Sequence, residues 1–207
     1  MTYEYLLAGL PELKAGSDVP ISLEKLDELL DECLTDSDKA LLDLLRMPID
    51  ETTLEMGLKA KNRFIRDWFG FNQDMNNVLV AQICRKHGFD PKKQIVGEGE
   101  IAEQLRTNTT QKDFGLNEVM DDPQEFLALA QIENLMAREK AMDAIRFTWL
   151  QDYTEFDFFS AEMVFAYYLE AVMLHRWSLL TVEEGEKIFR ELVKEMKKGV
   201  NLNNTTI

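Results

Sequence analysis

The stretch that decides the fold runs from Trp68 to Leu116: WFGFNQDMNNVLVAQICRKHGFDPKKQIVGEGEIAEQLRTNTTQKDFGL. After Asp74, a candidate helix N-cap, apolar residues recur at three- and four-residue intervals. Arg85 and Lys86 then favour the negative end of a helix dipole, and Gly88 offers the left-handed exit common at helix ends. The stretch therefore predicts a helix from Asp74 to about Gly88.

The same helical period continues toward the N-terminus. Ser22 is a predicted N-cap for a helix with one apolar face, and a second helix is expected over Ser37–Met47, ended by Pro48. Residues 3–7 alternate in polarity instead, which predicts a short extended piece.

Toward the C-terminus, Asp122 followed by Pro123 is a strong helix start, and the apolar period continues toward Tyr153. This helix is predicted to be the longest. Ser160 opens a further helix, which is expected to end near Trp177.

The pattern as a whole predicts an all-α fold, a compact multi-helix array forming one domain over residues 1–200. Thr181 and Glu184 form a predicted capping box for the last helix. The polar residues 201–207 are expected to fray.

Net charge and composition argue against several kinds of partner and location. The formal net charge is −15, from 38 acidic and 23 basic residues, which argues against a nucleic-acid partner and against attraction to an anionic bilayer. No apolar run approaches the roughly 18 residues needed to span a membrane, and the N-terminus lacks the pattern of a signal peptide. Cys33 and Cys84 have no partner at a metal-ligand spacing. We therefore expect a cytoplasmic protein with free, buried thiols.

The charge is unevenly distributed along the chain. Residues 61–112 carry nine basic and six acidic side chains, whereas residues 1–60 carry 14 acidic and five basic ones. This basic segment is either a solvated face or the binding site of an acidic partner, since complementary charge steers association. The candidate partner-binding residues are Arg63, Arg66, Arg85, Lys86, Lys92 and Lys93.

No catalytic residue, cofactor site or metal site is predicted. His87 and His175 lie in no ExxH pair, and the chain has no GxSxG nucleophile turn. Asp113-Phe114-Gly115 matches the kinase magnesium motif, but the other kinase motifs are missing. An enzyme that uses two carboxyl groups in a helical cleft stays open as an alternative, and it would need two convergent acids with separated pKa values.

Aromatic residues crowd between residues 147 and 177, and core packing explains most of them. If several proved to be exposed together, they would mark a protein interface. The residues concerned are Phe147, Trp149, Tyr153, Phe156, Phe158, Phe159, Phe165, Tyr167, Tyr168 and Trp177.

The order of several motifs resembles the C/d subunits of V-type and A-type ATPases, the helical proteins between the rotating shaft and the membrane rotor. The opening residues 5–13 are most similar to a group of uncharacterised bacterial proteins associated with V-type ATPase gene sets. The other motifs are an Asn-rich helix (72–85) followed by Gly88, Ile95-Val96-Gly97, a DFGL box (113–116), an acidic aromatic turn (152–159), a helix ending in Arg176-Trp177, and a closing helix with Glu184-Gly185 and Phe189.

The resemblance implies a reduced version of the C/d-type fold and a non-enzymatic central-stalk component that couples the soluble shaft to the membrane rotor ring. It would lie in the cytoplasm, peripheral to the membrane through the ATPase complex. Typical C/d subunits have three related helical units, whereas 207 residues have room for about two, so the rotor-ring contact is not transferred to named residues. The alternative is an unrelated helical adaptor that binds an acidic partner through the basic segment.

Overall fold

The computed structural model describes residues 3–17 and 19–179, and this part of the chain is helical, without a strand. The predicted all-α fold is confirmed. The α-helices are α1 (Glu4–Gly9), α2 (Leu23–Cys33), α3 (Asp36–Arg46), α4 (Glu51–Leu58), α5 (Arg63–His87), α6 (Glu100–Thr107), α7 (Gln124–Leu129), α8 (Leu135–Thr154) and α9 (Ala161–Ser178), with 3₁₀ turns at Pro91–Lys93 and Leu116–Glu118.

Helix α5 contributes to two hydrophobic clusters. Its N-terminal half places Phe64, Trp68 and other residues in a first cluster with α1, α2, α3, α8 and α9. Its C-terminal half places Met75 and Val78 in a second cluster with α6, α7 and the start of α8. Both clusters therefore depend on the continuity of one 25-residue helix.

Several predicted helix ends are confirmed by their capping contacts. The Ser22 Oγ accepts a hydrogen bond from the Lys25 backbone N–H at 3.3 Å, and the Ser160 Oγ accepts one from the Met163 N–H at 3.1 Å. Gly88 ends α5 in the left-handed region, at φ 72°. These contacts satisfy backbone groups that a helix end would otherwise leave unpaired.

The predicted start at Asp74 is wrong. Helix α5 begins eleven residues earlier, where the Asn62 Oδ1 accepts a hydrogen bond from the Ile65 N–H at 3.1 Å. Asp74 lies in the helix interior. Phe64, Trp68 and Phe69 follow the helical period and pack in the first cluster, so the apolar stripe of α5 begins well before Asp74.

The predicted longest helix, from Asp122 toward Tyr153, is also wrong. The chain forms α7, then breaks at residues 130–134, and α8 starts where the Asn134 Oδ1 accepts a hydrogen bond from the Ala137 N–H at 2.9 Å. An asparagine cap thus divides an apolar pattern that continues on both sides of it.

Residues 3–7 are not extended. The Leu7 N–H donates to the Tyr3 carbonyl at 3.0 Å as α1 begins, and Leu6 is buried against the first cluster. Cys84 is buried as expected, whereas Cys33 is exposed, and both thiols are free. The predicted capping box at Thr181 and the tail 201–207 lie outside the described residues, so the single domain over 1–200 stays a prediction.

Alanine substitutions at two helical glycines should have opposite effects on stability. A Cβ at Gly57 in α4 would overlap the buried Phe69 ring, whereas a Cβ at Gly70 in α5 would meet only the Leu58 Cδ2, at 3.9 Å. We expect Gly57→Ala to lower the free energy of unfolding by about 1–3 kcal/mol through overpacking. We expect Gly70→Ala to raise it by up to about 1 kcal/mol, because alanine favours helix. Urea denaturation measures both, and equal effects at the two sites would contradict the α4–α5 packing.

Candidate interaction surface

The six predicted partner-binding residues do not form one basic face. Arg63 opens α5 and Lys86 lies in its last turn, about 35 Å away at 1.5 Å per residue. Arg66 lies near the first end and Arg85 near the second. Lys92 and Lys93 follow in the first 3₁₀ turn, which packs against α5.

Two of these six residues, both arginines, bind the backbone of their own chain. The Arg66 Nη1 donates to the carbonyls of Ala60 and Lys61, at 2.8 and 2.7 Å, and so holds the connection between α4 and α5. The Arg85 guanidinium donates to the carbonyls of residues 111 and 112, both at 2.6 Å. It also lies 3.6 Å from the ring centroid of buried Phe114. These contacts favour a structural role for both arginines.

The exposed aromatic residues are concentrated between α8 and α9. In this aromatic corner, residues 155–160, Phe156 is 83% exposed, Phe158 is 69% exposed and Phe159 is 37% exposed. Phe147 and Phe165, from the same aromatic-rich stretch, are buried. Three exposed phenylalanines within four positions form the kind of apolar surface that marks a protein interface.

The backbone of the aromatic corner is held in an unusual conformation. Phe159 has φ 62°, in the left-handed region that a bulky side chain rarely adopts and that costs on the order of 1–3 kcal/mol. Its carbonyl accepts a hydrogen bond from the Tyr3 N–H at 2.7 Å, and the next residue, Ser160, caps α9. The corner is therefore tied both to the start of the chain and to α9.

Arg63 and Phe156 line one shallow depression beside the aromatic corner, together with Tyr153 and Asp157. The Arg63 side chain is 83% exposed, and its only ion pair among the described residues is with Asp67, at 3.3 Å. The Tyr153 hydroxyl donates to the same Asp67 carboxylate at 2.9 Å. Burial, followed by the Asp67 contact, raises the pKa of Tyr153 to about 12, so this tyrosine stays a neutral hydrogen-bond donor.

Away from the aromatic corner, a buried carboxylate joins α8 to the C-terminal end of α9. Asp143 is 5% exposed and accepts hydrogen bonds from the Arg146 Nη1 at 2.8 Å, the Trp177 Nε1 at 2.7 Å and the Arg176 guanidinium. The Arg146 Nε donates to the Asn72 Oδ1 at 2.7 Å, which extends the network to α5. An Asp three residues before an Arg on a helix is a recognisable pair in the sequence, but Asn72, Arg176 and Trp177 join it only through the fold.

We expect Asp143→Asn to lower the free energy of unfolding by about 3 kcal/mol, because it leaves the largely buried Arg146 without its carboxylate. The control is Glu55→Gln, which removes the exposed helical pair with Lys59 and should change stability by less than about 0.5 kcal/mol. Thermal or urea unfolding measures both variants. Equal, small effects would show that the Asp143 network does not hold the helices together.

Two carboxyl groups are shifted by burial. Burial raises the pKa of Asp74 to about 6 and that of Glu170, on α9, to about 8. Glu170 lines a cleft beside α9, and Asp74 is not among the residues that line it. The structure thus does not bring these two acids together. The cleft of Glu170 is also lined by Glu12 and Glu155, and the alternative of a carboxylate-pair enzyme stays a prediction.

The shift at Glu170 predicts a pH dependence of stability. Its pKa in the folded protein lies above the ordinary value of 4.5, so its contribution is complete below about pH 4.5 and is lost as the pH rises toward 8. Glu170→Gln has no such loss. The difference in unfolding free energy, variant minus wild type, should therefore increase between pH 5 and 8 and then level off. Urea denaturation across this range measures it, and parallel profiles would contradict the shift.

Within residues 3–17 and 19–179, no helix is long and apolar enough to cross a membrane. The same residues contain no group of three or more His, Cys, Asp or Glu side chains placed to hold a metal ion.

Comparison with known families gives one match. The family model described as "Protein of unknown function (DUF2764)" matches residues 53–200, from within α4 to beyond the end of α9. No curated protein and no solved structure matches the chain. The matched region contains the aromatic corner, the Asp143 network and all six predicted basic residues. Because the match covers more than half of the sequence, the chain belongs to the DUF2764 family.

Proposed function

We propose that this protein is a non-enzymatic central-stalk component of a V-type ATPase that couples the soluble shaft to the membrane rotor ring. The observation that carries its docking role is the exposed Phe156 beside the exposed Arg63, at the edge of the aromatic corner. The resemblance of the sequence to the C/d subunits supplies the identity of the partners. In this proposal the residues of the chain bind and transmit force, and none performs chemistry.

The composition of the aromatic corner supports a protein partner. Phenylalanine and arginine are enriched in protein interfaces, and arginine is among the residues that most often dominate binding energy. The chain carries a net charge of −15, so an apolar surface with an exposed arginine stands out from the rest. Such a surface would be buried on docking against a partner with a matching apolar site.

The packing supports a role in transmitting force. A stalk component between shaft and rotor has to pass on torque without deforming, and close-packed interiors resist deformation. Helix α5 joins both hydrophobic clusters, and the Asp143 network connects it with α8 and α9. A load applied at the aromatic corner would therefore reach α5 through directly bonded elements.

One observation favours the alternative of a helical adaptor. Lys86, Lys92 and Lys93 are exposed near the far end of α5 and make no ion pair with the described residues. An acidic partner outside any ATPase would be steered to these three charges. The identity of the partner distinguishes the two functions.

The test is co-purification from solubilised membranes of the native organism, with the recovered proteins identified by mass spectrometry. We expect wild type to recover the shaft and rotor-ring subunits. The double variant Arg63→Glu/Phe156→Ala should lose about 30-fold in affinity, the effect of removing a hot spot of roughly 2 kcal/mol. Both side chains are exposed, so the thermal unfolding midpoint should stay nearly constant.

The matched control is Phe89→Ala, which removes a phenylalanine that is 68% exposed at the other end of α5. It should leave recovery unchanged. Recovery that lacks every V-type ATPase subunit would contradict the proposal. Recovery of an unrelated acidic protein that is lost in Lys86→Glu/Lys92→Glu/Lys93→Glu would establish the adaptor instead.

A further inference from the structure

Glu170 lines a cleft of about 360 Å³ that the aromatic corner partly encloses. The cleft lies between α1 with the residues that follow it, the end of α8 and one side of α9. Much of its wall is apolar, and Phe158 from the aromatic corner belongs to it. The apolar lining residues include Leu7, Leu10, Leu13, Phe158, Met163 and Ala166.

The charged residues that line the cleft are all acidic. They are Glu12, Glu155 and Glu170, and no Lys, Arg or His lines it among the described residues. Glu12 pairs with Lys14 at 3.3 Å, and both of these side chains are exposed. Glu170 differs, because it is only 8% exposed and has no hydrogen bond or ion pair with any described residue.

The hydroxyl groups around Glu170 donate to other acceptors. The Tyr167 hydroxyl donates to the Pro11 carbonyl at 2.9 Å, and the Thr154 Oγ1 donates to the Leu150 carbonyl at 2.9 Å. Glu170 is thus largely buried and has no donor among the described residues, so a donor that enters the cleft can pair with it. Such a donor pairs best with the ionised carboxyl group, and the neighbouring acids Glu12 and Glu155 favour a cationic one.

We propose that this cleft binds the side chain of a lysine from a partner protein, with the ammonium group on Glu170 and the aliphatic stem against the apolar wall. Lysine fits both Glu170 and the apolar wall, because it combines a four-carbon chain with a compact charge that carries three donors. The aromatic ring of Phe158 adds a surface that attracts cations. Phe158 also belongs to the aromatic corner, so this lysine would enter beside the docking surface already described.

The protonation state of Glu170 provides a way to detect binding in the cleft. Burial raises the pKa of Glu170 to about 8, so at pH 7 the empty cleft holds this group mostly protonated. Facing it are Glu12, Glu155 and Tyr167, and burial raises the pKa of Tyr167 to about 12, which keeps that residue neutral. An ammonium ion favours the carboxylate, so binding at pH 7 should release nearly one proton.

The first test uses n-pentylammonium as a lysine side-chain probe and n-pentanol as its neutral control. Each is titrated into the full chain at pH 7 with ¹³C-labelled Leu and Met methyl groups. We expect pentylammonium to shift the methyl resonances of Leu10, Leu13 and Met163 and to bind at least about tenfold more tightly than pentanol, the value of one charged hydrogen bond. Calorimetry in buffers of different ionisation enthalpy should detect the released proton.

Glu170→Gln keeps the shape of the side chain and should weaken pentylammonium binding at least about tenfold, without proton release. Glu139→Gln, a half-buried acid of α8 outside the cleft, is the matched control and should bind as wild type does. Equal affinity of wild type and Glu170→Gln, equal affinity for pentanol, or methyl shifts elsewhere would overturn the proposal.

That the lysine comes from a partner protein rests on the proposed function, and a second measurement tests this part separately. In the co-purification, Glu170→Gln should reduce recovery of the partner about tenfold relative to Glu139→Gln. Unchanged recovery, with amine binding lost, would overturn the assignment to a partner lysine while leaving the docking role of the aromatic corner intact. If wild type itself recovers no partner, the proposed function is contradicted. The amine site is judged separately, since amine binding needs no partner.

Discussion

The structure depends on the continuity of α5 through two hydrophobic clusters, and Phe71 is the point at which the clusters meet. Its ring stacks on Trp149 from α8, with centroids 5.0 Å apart and planes at 20°, and meets Phe126 from α7 edge-on at 5.7 Å. Phe71 packs against both clusters. A break in α5 at Phe71 would separate the two hydrophobic clusters. The helix therefore has to be continuous at the point where its packing passes from the first cluster to the second.

Hydrogen bonds also hold α5 in place next to Phe71. Asn72, the next residue of α5, is fully buried, and such an amide is tolerated only when it is hydrogen-bonded. Its Nδ2 donates to the Trp68 carbonyl, and its Oδ1 accepts from Arg146, which also binds Asp143. Because hydrogen bonds are directional, unlike apolar packing, this network fixes how α5, α8 and α9 are aligned. The aromatic corner between α8 and α9 is positioned by that alignment.

The sequence predicted helices best where one apolar stripe ended at a clear cap, as for the helices that begin after Ser22 and Ser160. It failed at the start of α5, where Phe64, Trp68 and Phe69 already follow the helical period before Asp74 is reached. It also failed where Asn134 caps a new helix inside an apolar pattern. A residue that is suitable as a cap, such as Asp74, also occurs in helix interiors, so only tertiary packing decides between the two.

At the candidate site, the sequence showed which residues are charged but not which of them a partner can reach. The sequence identified an excess of basic residues, but it could not show that Arg66 and Arg85 bind backbone carbonyls while Arg63 stays exposed beside Phe156. Glu170 gave no signal, because a single acid in an apolar helix is usually solvated. Its importance arises only from the elements folded around it, which bury most of its side chain without supplying a donor. Net charge along the chain therefore says little about which ionisable groups a partner can reach. Here they include Glu170, a largely buried acid that becomes a carboxylate when a cation binds beside it.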